Sequence, residues 1–546
     1  MRRYSQCTLE DFIVLKLFKV TMNSIRYRDE DLKLRDGTLL KSRIWLPHGK
    51  GPWPVLLMRQ PYRREIASTI TYAHPSWWAI NGYLVVIQDV RGQGESEGEF
   101  SGFSQEASDT SQTHSWVRSL PECNGLLGTY GFSYQGLTQL IAEEGTPPPD
   151  CMIPAMTGLS ENEHWSCEGG AFWWHLGIGW GLQLAAQKAQ RENDSKTWHE
   201  IRENLESKKY LFNGHKLLKE NDPEGMAHKW LKLSNSKTIN WNSFKPLDSW
   251  LRKPLLLIGG WWDPHLNGIL DIFEKSKNAG GDPKLLIGPA THLQWWEGVQ
   301  STQLKFFDSH LKLKNKKHLF PQTNLWNLTT KSWEISKRNK NPIWKLFSKG
   351  LASISYQEGS LTTNTDLEGN SEVNIVHDPW RPVPAIGGHL SDTPGEANRF
   401  DIDIRPDVAV FTSTPVSKDL RLEGIPILHL ETKCDREGFD LFIALSRIPE
   451  ESENVAAQLS TGVLRITNHE IDRKKNVEIR LQPMLSTLNK GDRLRISISG
   501  SGWPAIGINP GQNKYFCEGP SPHCLVTTIS LILSNSKLKF ESLISS

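Results

Sequence analysis

Cysteine is scarce in this chain of 546 residues, and none of the seven (Cys7, Cys123, Cys151, Cys167, Cys434, Cys517 and Cys524) forms a Cys-x-x-Cys pair or joins histidine at zinc-ligand spacing. An odd count also argues against a fully paired disulfide framework, although Cys517 and Cys524 would be placed to bridge if the protein were exported. Charge of one sign is missing as well. Charged residues make up 23% of the chain and balance to +2, which supplies no basic field for nucleic acid or an anionic membrane. No apolar run reaches the roughly 18 residues that a membrane-crossing helix needs. Free thiols in a reducing, cytoplasmic compartment are therefore expected, with neither nucleic acid nor membrane as a partner.

The basic start Met1-Arg2-Arg3 and the apolar stretch Phe12 to Val20 resemble a signal peptide only in outline. Glu10, Asp11, Lys16 and Lys19 interrupt it, and no small-residue cleavage site follows. Residues 1–29 are expected to be a poorly ordered extension. The length exceeds what one hydrophobic core usually supports, so two or three domains are expected.

What the chain does have is an alternation of strand and helix signals. Leu32 to Leu34 and Leu39 to Trp45 read as strands around the turn Asp36-Gly37, and Pro54 to Met58 as a short buried strand. Tyr83 to Ile87 is strand-like, Gln105 to Arg118 helix-like, and Leu126 to Phe132 followed by Tyr134 to Glu144 reads as strand, sharp turn and helix. The pattern implies a parallel sheet. Residues 160–240 turn helical and tryptophan-rich before the alternation resumes at Pro254 to Ile258 and Lys284 to Ile287. They read as an inserted cap. Beyond about residue 315 only short alternating segments recur, among them Val408 to Thr412, Asp440 to Leu445 and Arg493 to Ser499, as in an all-β sandwich. The expected division is a sheet-and-helix domain at 30–159 and 241–314, a cap at 160–240 and a β domain at 315–546.

The chemistry starts at Gly131-Phe132-Ser133-Tyr134-Gln135-Gly136, a G-x-S-x-x-G variant of the nucleophile elbow. With 43 glycines the pattern alone decides little. Gly94-Glu95-Ser96-Glu97-Gly98 matches the usual form literally, yet Ser96 lies beyond its strand with no helix directly after it. Ser133 has both. A serine nucleophile needs an imidazole base, and the imidazole needs an acid to hold its tautomer. Asp263 follows the run Leu255 to Trp262, and His292 follows Leu285 to Thr291, each just past the end of a strand, where open α/β sheets bind ligands. The order Ser133, Asp263, His292 is that of α/β-hydrolases. His265 is the nearest rival to His292, but it shares a loop with Asp263. For the oxyanion, the N–H of Tyr134 is one expected donor and the hydroxyl of Tyr62 another, on equal terms with a plain loop-edge tyrosine.

These residues resemble the serine hydrolases that include cocaine esterase, the α-amino-acid ester hydrolases and the Xaa-Pro dipeptidyl-peptidases of peptidase family S15, a group also called CocE/NonD. The motifs that carry the resemblance are Arg59-x-Pro61-Tyr62, Asp89-x-Arg91-Gly92-x-Gly94-x-Ser96-Glu97-Gly98, Gly128-x-x-Gly131-x-Ser133-Tyr134-x-Gly136, Gly260-Trp261-x-Asp263 and Gly288-Pro289-x-x-His292. Further on, Pro382-Val383-Pro384-x-x-Gly387-Gly388 and Arg405-x-Asp407-Val408 resemble the family's C-terminal domain. The resemblance implies an α/β-hydrolase core, an inserted helical cap and a C-terminal jelly roll of galactose-binding-like type, with Tyr62 donating to the oxyanion. One departure stands out. The α-amino-acid ester hydrolases carry a Glu-Asp pair just after the catalytic aspartate, and here Pro264-His265-Leu266 follow.

The leading expectation is an ester or amide hydrolase acting through an acyl-enzyme, with Trp173, Trp174 and Trp262 lining the substrate pocket. A dipeptidyl-peptidase is the alternative and would need a cap carboxylate, for which Glu161, Glu163 and Glu168 are at hand. A non-catalytic binding protein of lectin type is the third reading. The expected partner is a small ester or amide or a short peptide, with a homodimer left open. No metal or organic cofactor is implied.

Overall fold

The computed structural model describes residues 25–66, 73–236, 240–312, 319–337, 341–363, 372–452 and 454–544. The expected extension at 1–29 lies outside them up to residue 24, but its last residues are ordered. Strand β1 (Arg26–Lys33) pairs antiparallel with β2 (Leu39–Leu46) over eight positions, and the Tyr27 and Trp45 rings meet at 4.8 Å. That cross-strand aromatic pair carries the strand back beyond the predicted boundary.

Eight further strands complete the first sheet: β3 (Trp53–Gln60), β4 (Leu84–Asp89), β5 (Cys123–Phe132), β6 (Cys151–Ala155), β7 (Leu256–Trp262), β8 (Lys284–Thr291), β9 (Thr323–Asn327) and β10 (Ser332–Glu334). Their order is β1-β2-β4-β3-β5-β6-β7-β8-β9-β10. From β4 to β9 every neighbouring pair is parallel. Parallel strands need both faces covered, and the burial shows it: β4 and β7 are buried at every position. The first sheet runs on past the expected start of the β domain at 315. That boundary falls outside the described residues, and β9 pairs in parallel with Leu285 to Ile287, so the first sheet extends to Glu334. The alternating burial of β9, which marks one face turned to the core, gave the same period-2 signal as the sandwich strands beyond it.

Helices α1 (Pro75–Ile80), α2 (Glu106–Ser119) and α3 (Tyr134–Leu137) lie between the early strands. The long helix expected from Tyr134 to Glu144 stops after one turn. Thr138 and Gln139 bond the backbone with their side chains instead: Gln139 Nε2 reaches the carbonyls of Gly131, Gln135 and Ile153 at 3.0–3.3 Å. Such bonds compete with helix continuation.

Between β6 and β7 the chain forms a helical insertion of α4 (Trp174–Arg191), α5 (Ser195–Glu206), α6 (Tyr210–Asn221), α7 (Met226–Ser234) and the short α8 (Asp248–Leu251). Helices α9 (Leu266–Asn278) and α10 (Val299–Leu311) follow β7 and β8. Among the described residues the remainder is all-β apart from one helical turn at Phe400–Asp403. A six-stranded sheet and a five-stranded sheet contribute buried residues to one apolar cluster, with Phe411, Leu441 and Ile496 from the first and Leu428, Ile479 and Leu531 from the second. The same cluster takes in Leu257 and Ile287 of the first sheet and Trp174 and Trp230 of the cap, so the α/β-hydrolase-like domain, the cap and the C-terminal all-β domain pack together.

Burial also sets an acid sensitivity. His114, on α2, stacks on Trp250 at 5.3 Å and 10°, and desolvation pushes its imidazole down to about 3. An unfolded histidine protonates near 6.5 whereas this one does not, so folding stability is full above that pH and is lost as the pH falls towards 3. Between pH 7 and pH 5 the wild type is expected to lose about 2 kcal/mol more than His114→Phe, which keeps the stack. Equal losses in urea denaturation of the two proteins would refute the assignment.

Candidate active site

β5 ends at Phe132 and α3 begins at Tyr134, so Ser133 alone makes the turn between them. Its φ of 59° and ψ of −127° are seldom adopted by L-residues and project the side chain from the sheet's edge. Two glycines make this turn possible. A Cβ on Gly131, at φ 134°, would lie 2.4 Å from Gln135 Cβ, and one on Gly136 would lie 2.7 Å from Thr157 Cβ. The late second glycine of the motif is therefore a packing requirement. The Ser133 N–H donates to the carbonyls of Ala155 and Met156, both at 3.0 Å, which ties the turn to the end of β6.

Asp263 and His292 stand just past the ends of β7 and β8, and the chain brings them together. His292 Nδ1 lies 2.6 Å from Asp263 Oδ1. Asp263 is fully buried, and its Oδ2 accepts the His265 N–H at 3.0 Å. A third support comes from the C-terminal domain, where Gln482 Nε2 donates to the Asp263 carbonyl at 2.8 Å. Nothing in the sequence signals this glutamine, which reaches the site from 219 residues away.

Tyr62, just after β3, accepts a hydrogen bond from Trp180 Nε1 at 3.0 Å and also bonds the Ser133 side chain. With one lone pair taken by the indole, the phenol keeps its own proton to donate. Desolvation pushes that phenol up to about 12, so it stays protonated at any working pH. The Tyr134 hydroxyl turns away from the cavity. It lies 2.7 Å from Glu106 Oε1, while Glu106 Oε2 accepts Arg59 Nη1 at 2.7 Å. The Tyr134 backbone N–H sits in the first turn of α3, where an N–H has no partner within its helix.

A cavity of about 340 Å³ contains Ser133, His292 and Tyr62. Phe132, Trp165, Trp173, Leu176, Trp180 and Leu293 supply its apolar walls, and Gln60, Gln135, Gln183 and His265 its other polar groups. Trp173, expected in the pocket, is among these wall residues. Trp174 and Trp262 are corrections. Trp174 is fully buried in the cap, donates Nε1 to the Leu211 carbonyl at 2.8 Å and lines no part of the cavity. Trp262 is packed into the main core cluster. Leu176, Gly177, Trp180 and Gln183 recur at helical spacing and share one face of α4, while Trp173 is the extended residue just before the helix. That periodicity was the available signal for Trp180.

Of the literal Gly-x-Ser-x-Gly match, Ser96 is buried and donates to the Asp89 carbonyl at 2.7 Å, away from this cavity. The donor atoms of Asp263, His265 and His292 lie within 4.8 Å of one another, the one such trio among the described residues. Two of the three already bond each other, so the set is occupied by its own hydrogen bonding.

Fold and site together define a serine hydrolase of the α/β type. A family model described as X-Pro dipeptidyl-peptidase (S15 family) matches residues 36–294, and one described as the X-Pro dipeptidyl-peptidase C-terminal non-catalytic domain matches residues 315–536. The chain thus matches both the catalytic and the C-terminal domain models of S15 peptidases. It is 26% identical over 545 residues to a cocaine esterase of Rhodococcus sp. (strain MB1 Bresler), across 87% of this chain and 91% of that one. Among solved structures it resembles an α-amino acid ester hydrolase (TM-score 0.70, 19% identity, 99% and 98% of the two chains). It equally resembles an aminopeptidase from a marine sediment archaeon, Thaumarchaeota archaeon (TM-score 0.70, 18% identity, 94% and 96%). Both structural likenesses speak to the fold alone.

Proposed function

We propose that the chain hydrolyses uncharged carboxylic esters, and less readily amides, through an acyl-enzyme on Ser133. The observation that carries this is the convergence of Ser133, the Asp263–His292 pair and Tyr62 on one cavity that contains no carboxylate beside the reacting groups among the described residues. Ser133 Oγ attacks the scissile carbonyl carbon while His292 Nε2 takes its proton, and Asp263 holds the Nδ1–H and favours the imidazolium. Negative charge collects on the carbonyl oxygen between the Tyr62 hydroxyl and the Tyr134 N–H. Collapse expels the alcohol or amine, protonated by His292. Water then enters by the same route and frees the acid.

On this reading Tyr62→Phe lowers kcat about 10²- to 10³-fold, the usual loss for one oxyanion donor. Because the phenol titrates near 12, the shape of the pH–rate profile up to pH 10 stays that of the wild type. A profile that loses an alkaline limb in the variant would show Tyr62 acting as an acid or base instead.

The dipeptidyl-peptidase reading needs a carboxylate to bind a free amino terminus. Glu161 accepts from Asn242 Nδ2 at 3.1 Å, Glu168 pairs with His389 at 2.5 Å, and Glu163 is exposed; none lines the cavity. A short-chain p-nitrophenyl ester and an alanyl-prolyl anilide separate the two readings, with Ser133→Ala as control. Ester turnover that needs Ser133, without anilide cleavage, is expected; anilide cleavage would put the peptidase first. The two C-terminal sheets around one apolar core support a jelly roll of galactose-binding-like type. The six described cysteines are all unpaired, which supports a cytoplasmic, reducing location.

A further inference from the structure

His265 is a second imidazole in the cavity that the proposed chemistry leaves unused. It is buried, and its ring is packed by Trp165 at 4.5 Å, Trp173 at 5.6 Å and His292 at 4.9 Å. Its Nδ1 lies 2.6 Å from the His164 carbonyl oxygen. A carbonyl can only accept, so Nδ1 carries the proton, and in a neutral ring Nε2 then carries a bare lone pair. The ring is neutral: burial, opposed by Asp263 and reinforced by His292, pushes it down to about 4. The tautomer and the ring plane are therefore both set before any substrate arrives. His265 thus stands in the cavity wall with Trp165 and Trp173 beside it.

We propose that His265 Nε2 is the acceptor of an acyl-recognition subsite, which selects acids carrying a neutral O–H donor one carbon from the scissile carbonyl on an otherwise apolar or aromatic group. The proposal rests on the ester-hydrolase reading above and adds the substrate class to it. A buried acceptor left unpaired by a deoxy substrate has a desolvation cost, whereas a hydroxyl at that position restores its bond, so discrimination follows from the unpaired state. An ammonium is the poorer match. The described walls offer it no carboxylate, and the nearest cation, His292 in its protonated state, would repel it.

The test compares p-nitrophenyl mandelate with p-nitrophenyl phenylacetate, which differ by one hydroxyl. Wild type is expected to favour the mandelate about tenfold in kcat/KM after correction for the esters' intrinsic hydroxide reactivity. His265→Asn, whose amide N–H can keep the bond to the His164 carbonyl, is expected to bring that ratio near one; so is His265→Phe. An unchanged ratio in a folded variant overturns the proposal. Binding of mandelamide and phenylacetamide to Ser133→Ala protein, followed by calorimetry, gives the same comparison without chemistry: the preference for mandelamide should persist there and vanish in Ser133→Ala/His265→Asn. Equal binding in both overturns the subsite. If instead neither ester is turned over in a Ser133-dependent way while the binding preference holds, the hydrolase reading fails and the subsite stands.

Discussion

Ser133→Ala is expected to lower kcat/KM for a good ester substrate by about four to six orders of magnitude, with the folded state intact. The size follows from how the groups depend on one another. His292 has nothing to deprotonate once the hydroxyl is gone, and Asp263 has no imidazolium to favour, so the three act as a unit. Asp263→Asn should cost about four orders by itself, because an amide opposite His292 Nδ1 favours the wrong tautomer. The double variant should be little worse than Ser133→Ala alone. Residual turnover would come from Tyr62 and the Tyr134 N–H, which both changes leave in place. Multiplicative losses in the double variant would mean that Asp263 acts apart from Ser133 and would undo the proposed relay. A fluorophosphonate adduct found on any residue but Ser133 would do the same.

The nucleophile turn was legible because its requirements are local. A strand, one residue at positive φ and a helix lie within a dozen positions, and the close approach at Gly136 is written as a glycine. Asp263 and His292 were legible because the edge of a parallel sheet lies at the ends of its strands. The pocket walls were harder. Trp173 and Trp174 look equivalent in sequence, yet one turns to the cavity and the other into the cap core, since Trp173 is still extended backbone and Trp174 is the first residue of α4. Gln482 was not legible at all: a lone glutamine in a β-rich segment carries no mark of a backbone carbonyl 219 positions earlier. Sheet membership around residue 315 was not legible for a related reason, because the last strands of the first sheet and the first strands of the second alternate in the same way.

Glu106→Ala should destabilise the protein by about 3–5 kcal/mol, although Glu106 never reaches the cavity. Arg59, two residues before Pro61 and three before Tyr62, is 2% exposed, and its guanidinium is held by Glu106, Gln88 Oε1 at 2.9 Å and Thr110 Oγ1 at 2.7 Å. The Tyr134 hydroxyl shares the same carboxylate. Removing Glu106 leaves a buried cation with only neutral partners and takes from the Tyr134 hydroxyl the shorter of its two bonds, leaving the Gly102 carbonyl at 3.0 Å. Desolvation pushes the Glu106 carboxyl up, against the opposing pull of Arg59 and the Tyr134 hydroxyl. An apolar replacement of both members, Arg59→Met with Glu106→Leu, should therefore recover most of the lost stability. It should not recover activity to the same extent, because the Tyr134 hydroxyl then keeps only its bond to the Gly102 carbonyl, at 3.0 Å, and the Arg59 end of β3 loses its polar tie to the nucleophile turn. Urea denaturation of the two single variants and the double one, read beside kcat on a p-nitrophenyl ester, separates the two effects. If the double variant regains stability and full turnover together, the pair is only a relic of packing. If stability returns while kcat stays depressed, the Arg59–Glu106–Tyr134 chain is what joins the oxyanion tyrosine to the nucleophile turn.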